Sequence, residues 1–426
     1  MDANYYMNDF ETPRGLIIQE SCRVCNSIKL KPIMSLGDQH LINFTDSQSK
    51  NTLTAPLDLV LCNKKDGGCG LLQLRHTVPG ELMYREFWYK SGVNQSMKNA
   101  LADIVMRAET LVELSDGDNV IDIGANDGTL LRHYKNKNLK SIGFEPAKNL
   151  VEEAGQGTSK IINAFFSYEK FIEEFPNQKS KVITSIAMFY DLQDPNKFVG
   201  DIAKILDKDG VWIVQMNYLV TMLENNAFDN IVHEHLEYYS LKSLEYLLKR
   251  HNLTIFDAEL NDVNGGSIRT YIKHNSCEKF PVTNKVKEII DYEDRLGLDD
   301  IQPYQQFSER ISELKKVTYE FIKNQIEKGK TVYAYGASTR GNTLLQFYNL
   351  DYKMIKAIAD RNPIKWGKKT AGTNIPIISE EQARKEKPDY FLILPWYFID
   401  EFRNRETEYL KNGGKFIVPL PSFQIV

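Results

Sequence analysis

The stretch Asn119-Val-Ile-Asp-Ile-Gly-Ala-Asn-Asp-Gly128 decides the fold of the central part of this chain. Its first five residues predict a buried strand, and the glycines at positions 124 and 128 predict a turn that opens a helix. Because glycine has no Cβ, a ligand can lie directly against the backbone of such a turn. Dinucleotide sites need the tighter pattern G-x-G-x-x-G, which is absent here. The stretch therefore predicts a ligand-binding loop of another kind.

An acidic residue follows the next predicted strand, Ser141-Ile-Gly-Phe144. Glu145 stands at the end of that strand, where a carboxylate can accept hydrogen bonds from both hydroxyls of a ribose. The strand acid at position 122, with the two glycines, resembles the S-adenosylmethionine loop of class I methyltransferases. We predict S-adenosylmethionine as the cofactor, and the alternative is a cofactor-free α/β domain with a glycine turn. The predicted cofactor-binding residues are Asp122, Gly124, Asn126, Gly128 and Glu145.

Alternating strand and helix patterns continue after this loop. Further strands are predicted at 160–163, 181–187, 211–215, 253–258 and 267–273, with a helix at 241–251. Such alternation is typical of an α/β fold with a largely parallel, doubly wound sheet. The count and order match a seven-stranded class I, Rossmann-like methyltransferase core better than a six-stranded dinucleotide fold. We place this domain at 83–283.

A second α/β pattern occupies the C-terminal part of the chain, predicted as a Rossmann-like domain at 284–426. Helical periodicity with mixed charges covers about 284–328, and strand patterns resume at Thr331. A glycine loop at 336–341 follows the first of these strands and contains Arg340. Two interpretations stay open: the loop binds a diphosphate at a helix N-terminus with Arg340 adding charge, or it only packs.

The bulk composition is that of an ordinary globular protein, with 42% hydrophobic and 26% charged residues among 426. The net charge of -4 and the lack of a Lys/Arg stripe give no support to nucleic-acid binding. The N-terminal residues lack a basic start and an apolar segment, and no run approaches 18 apolar residues. We expect a cytoplasmic protein that binds neither nucleic acid nor membranes, as a monomer or small homo-oligomer.

Four of the five cysteines lie early in the chain, as Cys22-x2-Cys25 and Cys62-x6-Cys69. A cytoplasmic chain of this length does not need disulfides, so the two pairs predict a tetrahedral, structural zinc site with four thiolate ligands. The second spacing is wider than the usual one of about two to four residues, but Asp66-Gly-Gly68 gives that loop freedom to turn. The alternative is four unrelated thiols. We place this zinc-binding module at 1–82.

A dense group of titratable residues, His233-Glu-His-Leu-Glu-Tyr-Tyr-Ser240, follows the predicted strand Val211-Trp-Ile-Val-Gln-Met-Asn217. Open α/β sheets hold ligands beyond their strand ends, which favours a site here over the alternative, a polar surface loop with ordinary histidines. A histidine beside carboxylates can act as a general base near neutral pH. Methylation of carbon needs such a base and a group that stabilises the enolate oxygen, whereas oxygen and nitrogen need at most one proton removed. The cluster therefore suits carbon methylation.

Eight stretches of the sequence carry a family resemblance. They are Cys22-x2-Cys25, Cys62-x6-Cys-Gly-Leu-Leu-Gln-Leu74, Asp122-Ile-Gly-Ala-Asn-Asp-Gly128, Gly143-Phe-Glu-Pro146, His233-Glu-His-Leu-Glu-Tyr-Tyr-Ser240, Asn264-Gly-Gly-Ser-Ile-Arg269, Tyr335-Gly-Ala-Ser-Thr-Arg-Gly-Asn-Thr343 and Gly372-Thr-Asn-Ile-Pro376. In the same order, and over nearly the whole chain, they resemble the three-domain nucleotide-sugar C-methyltransferases of deoxysugar pathways. The resemblance implies a zinc domain, a methyltransferase core and a C-terminal Rossmann-like domain. It also implies methylation of C3 in a 4-keto deoxysugar attached to a nucleoside diphosphate.

The resemblance also implies residue roles. His235 is the base that takes the C3 proton, Glu234 is its neighbour in the pocket, and the 4-keto oxygen carries the enolate charge. The Gly-Gly-Ser-x-Arg segment at 265–269 is expected to be structural or to line the pocket. The other candidate residues are His233 and Tyr190 for catalysis and Tyr89, Tyr238 and Arg340 for contact with the substrate.

Two catalytic-pocket positions depart from the family pattern. Val232 stands where the family commonly has Tyr, and Ala187-Met-Phe-Tyr-Asp191 stands where it often has a His after strand four. Either Tyr190 or Tyr238 takes over the hydrogen bonding, or the substrate differs from the usual 4-keto-2,6-dideoxy sugar. Methylation of a sugar oxygen or nitrogen, and a nucleotide-sugar binding protein without turnover, stay open as alternatives.

Overall fold

The structure is a computed structural model that describes residues 13, 15–41, 44–45, 53–80, 83 and 90–426. Tyr89, which the sequence predicts to wall a pocket, lies outside these residues. Within them the strands form sheets of seven, six and four strands and two sheets of two strands. No helix in these ranges is both long enough and apolar enough to cross a membrane.

The N-terminal module is built on antiparallel strands. Its strands are β1 (Ile17–Ile18), β2 (Leu30–His40), β3 (Phe44–Thr45), β4 (Thr54–Cys62), β5 (Leu72–Leu74) and β6 (His76–Thr77). β4 pairs with β2 on one side and β5 on the other. A Cβ atom at Gly68 would lie 2.6 Å from Cys62 Sγ, so the turn between β4 and β5 can close over this sulfur only with glycine.

The central domain contains the seven-stranded sheet that the sequence predicts. The strands of this part are β7 (Asn119–Ile123), β8 (Lys140–Phe144), β9 (Lys160–Ile162), β10 (Ser180–Ile186), β11 (Leu206–Asn217), β12 (Glu237–Tyr238), β13 (Leu253–Asn261) and β14 (Ser267–His274). The order is β13-β14-β11-β10-β7-β8-β9, and only β14 runs antiparallel to its neighbours. All five residues of β7 are buried, which agrees with a strand covered on both faces.

Helices cover this sheet and connect it to the next domain. They are α1 (Gln95–Leu111), α2 (Thr129–Arg132), α3 (Val151–Ala154), α4 (Tyr168–Glu174), α5 (Pro195–Ile205), α6 (Leu219–Glu224), α7 (Leu241–Lys249), α8 (Asn284–Leu296) and α9 (Gln302–Glu327). The last two account for the long helical periodicity in the sequence. The buried residues of α5 are mostly apolar and recur at helical spacing, for example Phe198, Ile202 and Ile205.

The C-terminal domain is a second α/β unit with a six-stranded sheet. Its elements are β15 (Val332–Tyr335), α10 (Thr339–Phe347), β16 (Ile358–Asp360), β17 (Lys369–Thr370), β18 (Ile377–Ser379), α11 (Glu380–Glu386), β19 (Tyr390–Ile393), α12 (Ile399–Arg405), α13 (Thr407–Lys411), β20 (Lys415–Val418) and β21 (Gln424–Ile425). The order is β18-β16-β15-β19-β20-β21, parallel except for β21. β17 pairs with β3 of the N-terminal module.

The histidine-rich stretch contributes a strand to the N-terminal module. β12 pairs antiparallel with β5, so that Glu237 lies opposite Gln73 and Tyr238 opposite Leu72. The four-stranded sheet thus has the order β12-β5-β4-β2. A segment that the sequence places between two strands of the central domain is therefore fixed to the cysteine-bearing module by backbone hydrogen bonds.

Candidate active site

A cavity of about 750 Å³ lies at the carboxyl ends of β7, β8 and β10. β7 has β8 on one side and β10 on the other, and ligands of open α/β sheets bind where the strand order reverses in this way. The turns after β7 and β8 line one end of the cavity, called here the cofactor end. The turn around His235 and residues of the C-terminal domain line the other, the substrate end. One cavity therefore joins the two predicted sites.

Two buried carboxyl groups define the cofactor end. Glu145 accepts hydrogen bonds from the backbone N–H of Asn126 at 2.8 Å and of Ala147 at 2.7 Å, which fixes the carboxylate beside the glycine turn. Asp122 accepts a hydrogen bond from the hydroxyl of Thr184 at 2.6 Å. Burial raises the pKa of Asp122 to about 7 and also raises the pKa of Glu145.

Glycine is needed at two positions of the turn, for different reasons. Gly124 lines the cavity with a φ of +74°, and a Cβ there would lie 3.1 Å from Cγ of Met188. Gly128 does not line the cavity. It caps α2 with a φ of +77°, and a Cβ there would lie 2.6 Å from the carbonyl oxygen of Ala154. Gly128 therefore shapes the loop through close packing.

The segment before α1 covers the glycine turn. The backbone N–H of Ser91 donates to Oδ1 of Asn126 at 3.0 Å, and that of Gly92 donates to Oδ2 of Asp127 at 2.6 Å. Ser91, Asn94 and Met97 line the cofactor end, although the sequence analysis does not select them. The signal available in the sequence is the polar helix cap at Asn94, whose side chain accepts a hydrogen bond from the N–H of Ser96.

His235 lines the substrate end of the cavity. Its Nδ1 lies 2.8 Å from the carbonyl oxygen of Asn230. A carbonyl only accepts, so Nδ1 carries a proton and Nε2 is the basic atom of the neutral ring. Burial lowers the pKa of His235 to about 4, with a smaller effect from the positive charge of Arg340. The ring is therefore neutral near pH 7, and it packs against the ring of Tyr190 at a centroid distance of 4.3 Å.

His233, two residues earlier, faces the N-terminal module. Its Nε2 lies 2.9 Å from the carbonyl oxygen of Ala55 in β4, so this nitrogen carries the proton. Burial lowers the pKa of His233 to about 4. His233 is not among the residues that line the cavity, whereas Glu234 is, and burial raises the pKa of Glu234. The turn thus directs neighbouring residues of one motif to different parts of the molecule.

The C-terminal domain closes the substrate end with Arg340. The guanidinium forms an ion pair with the buried carboxylate of Asp229 at 2.8 Å and donates to the carbonyl oxygen of Asn264 at 2.7 Å. It also lies over the ring of Tyr397, 4.6 Å from the centroid. A Cβ at Gly265 would lie 3.3 Å from the rings of Trp396 and Tyr397. The paired glycines after Asn264 therefore allow the two domains to approach closely.

Comparisons with known proteins agree with this three-part organisation. Residues 22–84 match a putative zinc binding domain, residues 93–258 a methyltransferase domain and residues 262–421 the C-methyltransferase C-terminal domain. The C-methyltransferase NovU of Streptomyces niveus is 31% identical over 413 residues, which cover 96% of this chain and 97% of NovU. The chain belongs to the C-methyltransferase family.

Solved structures similar to this methyltransferase match only part of the chain. One is the putative methyltransferase in a complex with the Trm112 activator of Haloferax volcanii, with 16% identity and a TM-score of 0.33, covering 42% of this chain and 94% of that one. Another is an S-adenosylmethionine-dependent methyltransferase of Clostridium acetobutylicum, with 15% identity and a TM-score of 0.33, covering 42% and 92%.

The cysteines of the zinc-binding domain are positioned for a metal ion. Their four Sγ atoms all lie within 4.8 Å of one another, and they form the one such group among the described residues. Cys22 and Cys69 are 3.5 Å apart and Cys25 and Cys62 are 3.4 Å apart. Four sulfurs bound tetrahedrally to zinc at about 2.3 Å are separated by about 3.8 Å. The arrangement therefore fits zinc, and the cofactors of this methyltransferase are zinc and S-adenosylmethionine.

The structure brings together most, but not all, of the predicted site residues. Asp122, Gly124, Asn126, Glu145, Tyr190, Glu234, His235 and Arg340 line the cavity. Gly128, His233 and Tyr238 do not, and Tyr238 is buried within β12. Arg269 is also away from the cavity lining, since it donates to Gln215 at 2.8 Å and pairs with Asp103 at 2.8 Å.

Several lining residues are not among the predicted site residues. At the substrate end these are Asp191, Leu192, Asp262, Tyr397 and Phe398. Asp191 and Leu192 lie five and six residues after the end of β10, so the rule that ligands bind beyond strand ends gives a signal for them. Tyr397 and Phe398 come from another domain. Their approach depends on the contact between domains, which no local sequence pattern reports.

Proposed function

We propose that this methyltransferase acts on a carbon atom of a nucleotide-linked keto sugar, with His235 as the base. One observation carries the proposal: a neutral histidine lines the cavity, and its Nδ1–H is committed to the carbonyl of Asn230. Nε2 is thereby kept ready to accept a proton from the carbon next to a keto group. Methylation of oxygen or nitrogen has less need of such a preset base.

The cofactor end supports binding of S-adenosylmethionine, which supplies an activated methyl group when bound. We assign Asp122, Gly124, Asn126 and Glu145 to hold it. The carboxylate of Glu145, already oriented by two backbone N–H groups, is suited to accept from the ribose hydroxyls. Gly128 acts indirectly, because it lets α2 and the turn pack closely.

The substrate end supports a sugar more than a diphosphate. Its lining contains Asp191, Glu234 and Asp262, and Arg340 is the one cation among the described lining residues. Arg340 is already paired with Asp229, which largely neutralises the positive charge that a phosphate would need. We infer that the sugar enters between His235 and Arg340 and that the diphosphate lies toward the opening. His233 and Tyr238 hold the catalytic turn on the zinc-binding domain.

Solvent exchange tests the base directly. In deuterated water without cofactor, the wild-type protein is expected to exchange the hydrogen next to the keto group of a nucleoside-diphosphate 4-keto deoxysugar. His235→Ala should lower exchange and methylation by about 100-fold or more, the usual contribution of a general base. NMR of the sugar gives the exchange rate, and NMR with mass spectrometry locates the added methyl group.

His233→Gln is the matched control, because glutamine keeps a donor for the carbonyl of Ala55 while His233 is absent from the cavity lining. We expect its exchange rate to stay within about tenfold of the wild type. Unchanged exchange and methylation in His235→Ala would show that another group is the base. A methyl group found on oxygen or nitrogen would refute carbon methylation, and binding without any methyl transfer would refute the enzyme activity on this substrate class.

A further inference from the structure

Asp191 brings a carboxyl group to the substrate end. It ends the short helical turn Phe189–Asp191, two residues beyond β10, and its N–H donates to the carbonyl oxygen of Met188 at 3.1 Å. The preceding residue, Tyr190, packs on His235, and its carbonyl oxygen accepts from the N–H of Leu236 at 2.7 Å. Backbone contacts on the neighbouring residue therefore hold Asp191 at a fixed place in the cavity wall near the base.

The surroundings of Asp191 contain acids and no partner cation. Oδ1 is buried without a hydrogen-bond partner, and no ion pair to Asp191 is present in the described part of the chain. Glu234 faces it from the catalytic turn and Glu237 and Tyr238 from β12, while the nearby Arg23 pairs with Glu237 at 3.7 Å. Burial, and then the negative charges of Glu234 and Glu237, raise the pKa of Asp191 well above its usual value. Burial and the neighbouring acids therefore favour the protonated carboxyl group, which carries an O–H donor, in a residue that lines the cavity.

The weak basicity of His235 creates a need for such a donor. A base with a pKa of about 4 gains little free energy by taking a proton from carbon. The negative charge that would form on the keto oxygen must then be neutralised by a nearby acid. Arg340 is paired with Asp229, whereas the carboxyl group of Asp191 lines the same cavity and forms no ion pair among the described residues.

We propose that Asp191 is a catalytic acid that protonates the keto oxygen of the sugar while His235 removes the proton from the adjacent carbon. The proposal rests on the proposed function, carbon methylation of a keto sugar. It adds a second catalytic residue, which lies next to Tyr190, the residue predicted from the sequence.

The proton balance of this step is complete. Nε2 of His235 takes the carbon-bound proton, the electron pair of that C–H bond becomes the C=C bond, and the carbonyl oxygen takes the proton of Asp191. The product is a neutral enol. With S-adenosylmethionine bound, formation of the new C–C bond would break the S–CH3 bond and release the thioether S-adenosylhomocysteine, while the O–H electron pair would re-form the C=O bond and the proton would return to Asp191. The proton on His235 leaves to solvent.

Asp191→Ala and Asp191→Asn test the proposal, with Asp291→Asn, an exposed residue of α8, as the control. Solvent exchange without cofactor is the main readout, and zinc content and cofactor affinity check folding. We expect Asp191→Ala to lower exchange by about 100-fold. Asp191→Asn should retain part of it, since the amide still donates a hydrogen bond. The control should match the wild type.

The pH profile separates an acid from a merely structural residue. Asp191 works protonated, so wild-type exchange should fall as pH rises through the elevated pKa of Asp191, and His235 works neutral, so exchange should fall as pH drops toward about 4. In Asp191→Asn the alkaline decline should disappear, because an amide does not titrate. Both variants within threefold of the wild type, a persistent alkaline decline, or a raised KM with unchanged kcat would each overturn the proposal. An inactive wild type would instead refute the proposed function.

Discussion

The two glycine loops of this methyltransferase are built alike around an acidic residue. In the central domain, Glu145 directly follows β8 and accepts from the N–H of Asn126, in the turn after β7, at 2.8 Å. In the C-terminal domain, Asp360 ends β16 and accepts from the N–H of Ala337, in the turn after β15, at 2.8 Å. Each carboxylate also accepts from the N–H two residues further along its own chain segment. Both loops therefore have the framework of a nucleotide-binding site.

The two loops differ in the ion pairs that their acidic residues form. Lys365 lies 3.1 Å from the carboxylate of Asp360 and also donates to the carbonyl oxygen of Ala337 at 2.7 Å, whereas Glu145 forms no ion pair among the described residues. Arg340, on the C-terminal loop, is likewise turned to Asp229 of the central domain. The charged groups of the C-terminal loop are thus paired within the protein. The same backbone pattern leaves its acid without an ion pair beside the cavity in one domain and contacts the neighbouring domain in the other.

The largest effect is expected from removing the positive charge of Arg340, which joins the C-terminal loop to Asp229 of the central domain. Arg340→Met leaves the fully buried carboxylate of Asp229 without its cation. Breaking a buried ion pair on one side costs about 3–5 kcal/mol, so the free energy of unfolding, measured by urea denaturation, should fall by that amount. The double variant Arg340→Met/Asp229→Leu should recover most of the loss, since no buried charge is then unpaired.

A loss below about 1 kcal/mol in Arg340→Met would contradict the packing interpretation, since an exposed pair contributes no more than this. It would show that Asp229 does not depend on the guanidinium. The C-terminal loop would then be available for a diphosphate, as the sequence allows, and the contrast between the two loops would disappear.

The sequence predicts the framework of both loops because that framework is local. A strand, a glycine turn and a helix within about 15 residues suffice to recognise each one. The partner of Arg340 cannot be recognised in this way, because Asp229 is 111 positions away in the chain. Its approach depends on how the two domains pack. The sequence alone therefore leaves both diphosphate binding and packing open.

The turn around His235 is likewise predicted only in part from the sequence. The cluster of titratable residues at 233–240 and the preceding strand predict a site, and the structure places His235 and Glu234 in the cavity wall. The pairing of β12 with β5 is not predictable from the sequence, since two residues of a polar turn have no strand pattern. This pairing explains why His233 contacts Ala55 of the zinc-binding domain.

Replacing the acidic residue of each loop tests which of the two carboxylates contributes to cofactor affinity. Glu145→Ala should weaken binding of S-adenosylmethionine by about 10-fold to 100-fold, because hydrogen bonds to a charged group contribute about 1.5–3 kcal/mol. Asp360→Ala should leave that affinity within about twofold. Isothermal titration calorimetry measures both. Equal losses in the two variants would show that the effect comes from general damage to the fold, and no loss in Glu145→Ala would show that its carboxylate does not bind the cofactor.

The smallest expected effect concerns Lys365 itself. The side chain of Lys365 is 19% exposed, so Lys365→Met should lower the free energy of unfolding by less than Arg340→Met, by about 1–2 kcal/mol, and leave cofactor affinity unchanged. In a double-mutant cycle with Asp360→Asn, the two losses should not add, because both variants remove the same contact. Additive losses would mean that Lys365 acts mainly through its bond to the carbonyl of Ala337. The turn after β15 would then be stabilised mainly by the hydrogen bond of Lys365 to Ala337. The ion pair of Asp360 would not explain the difference between the two loops.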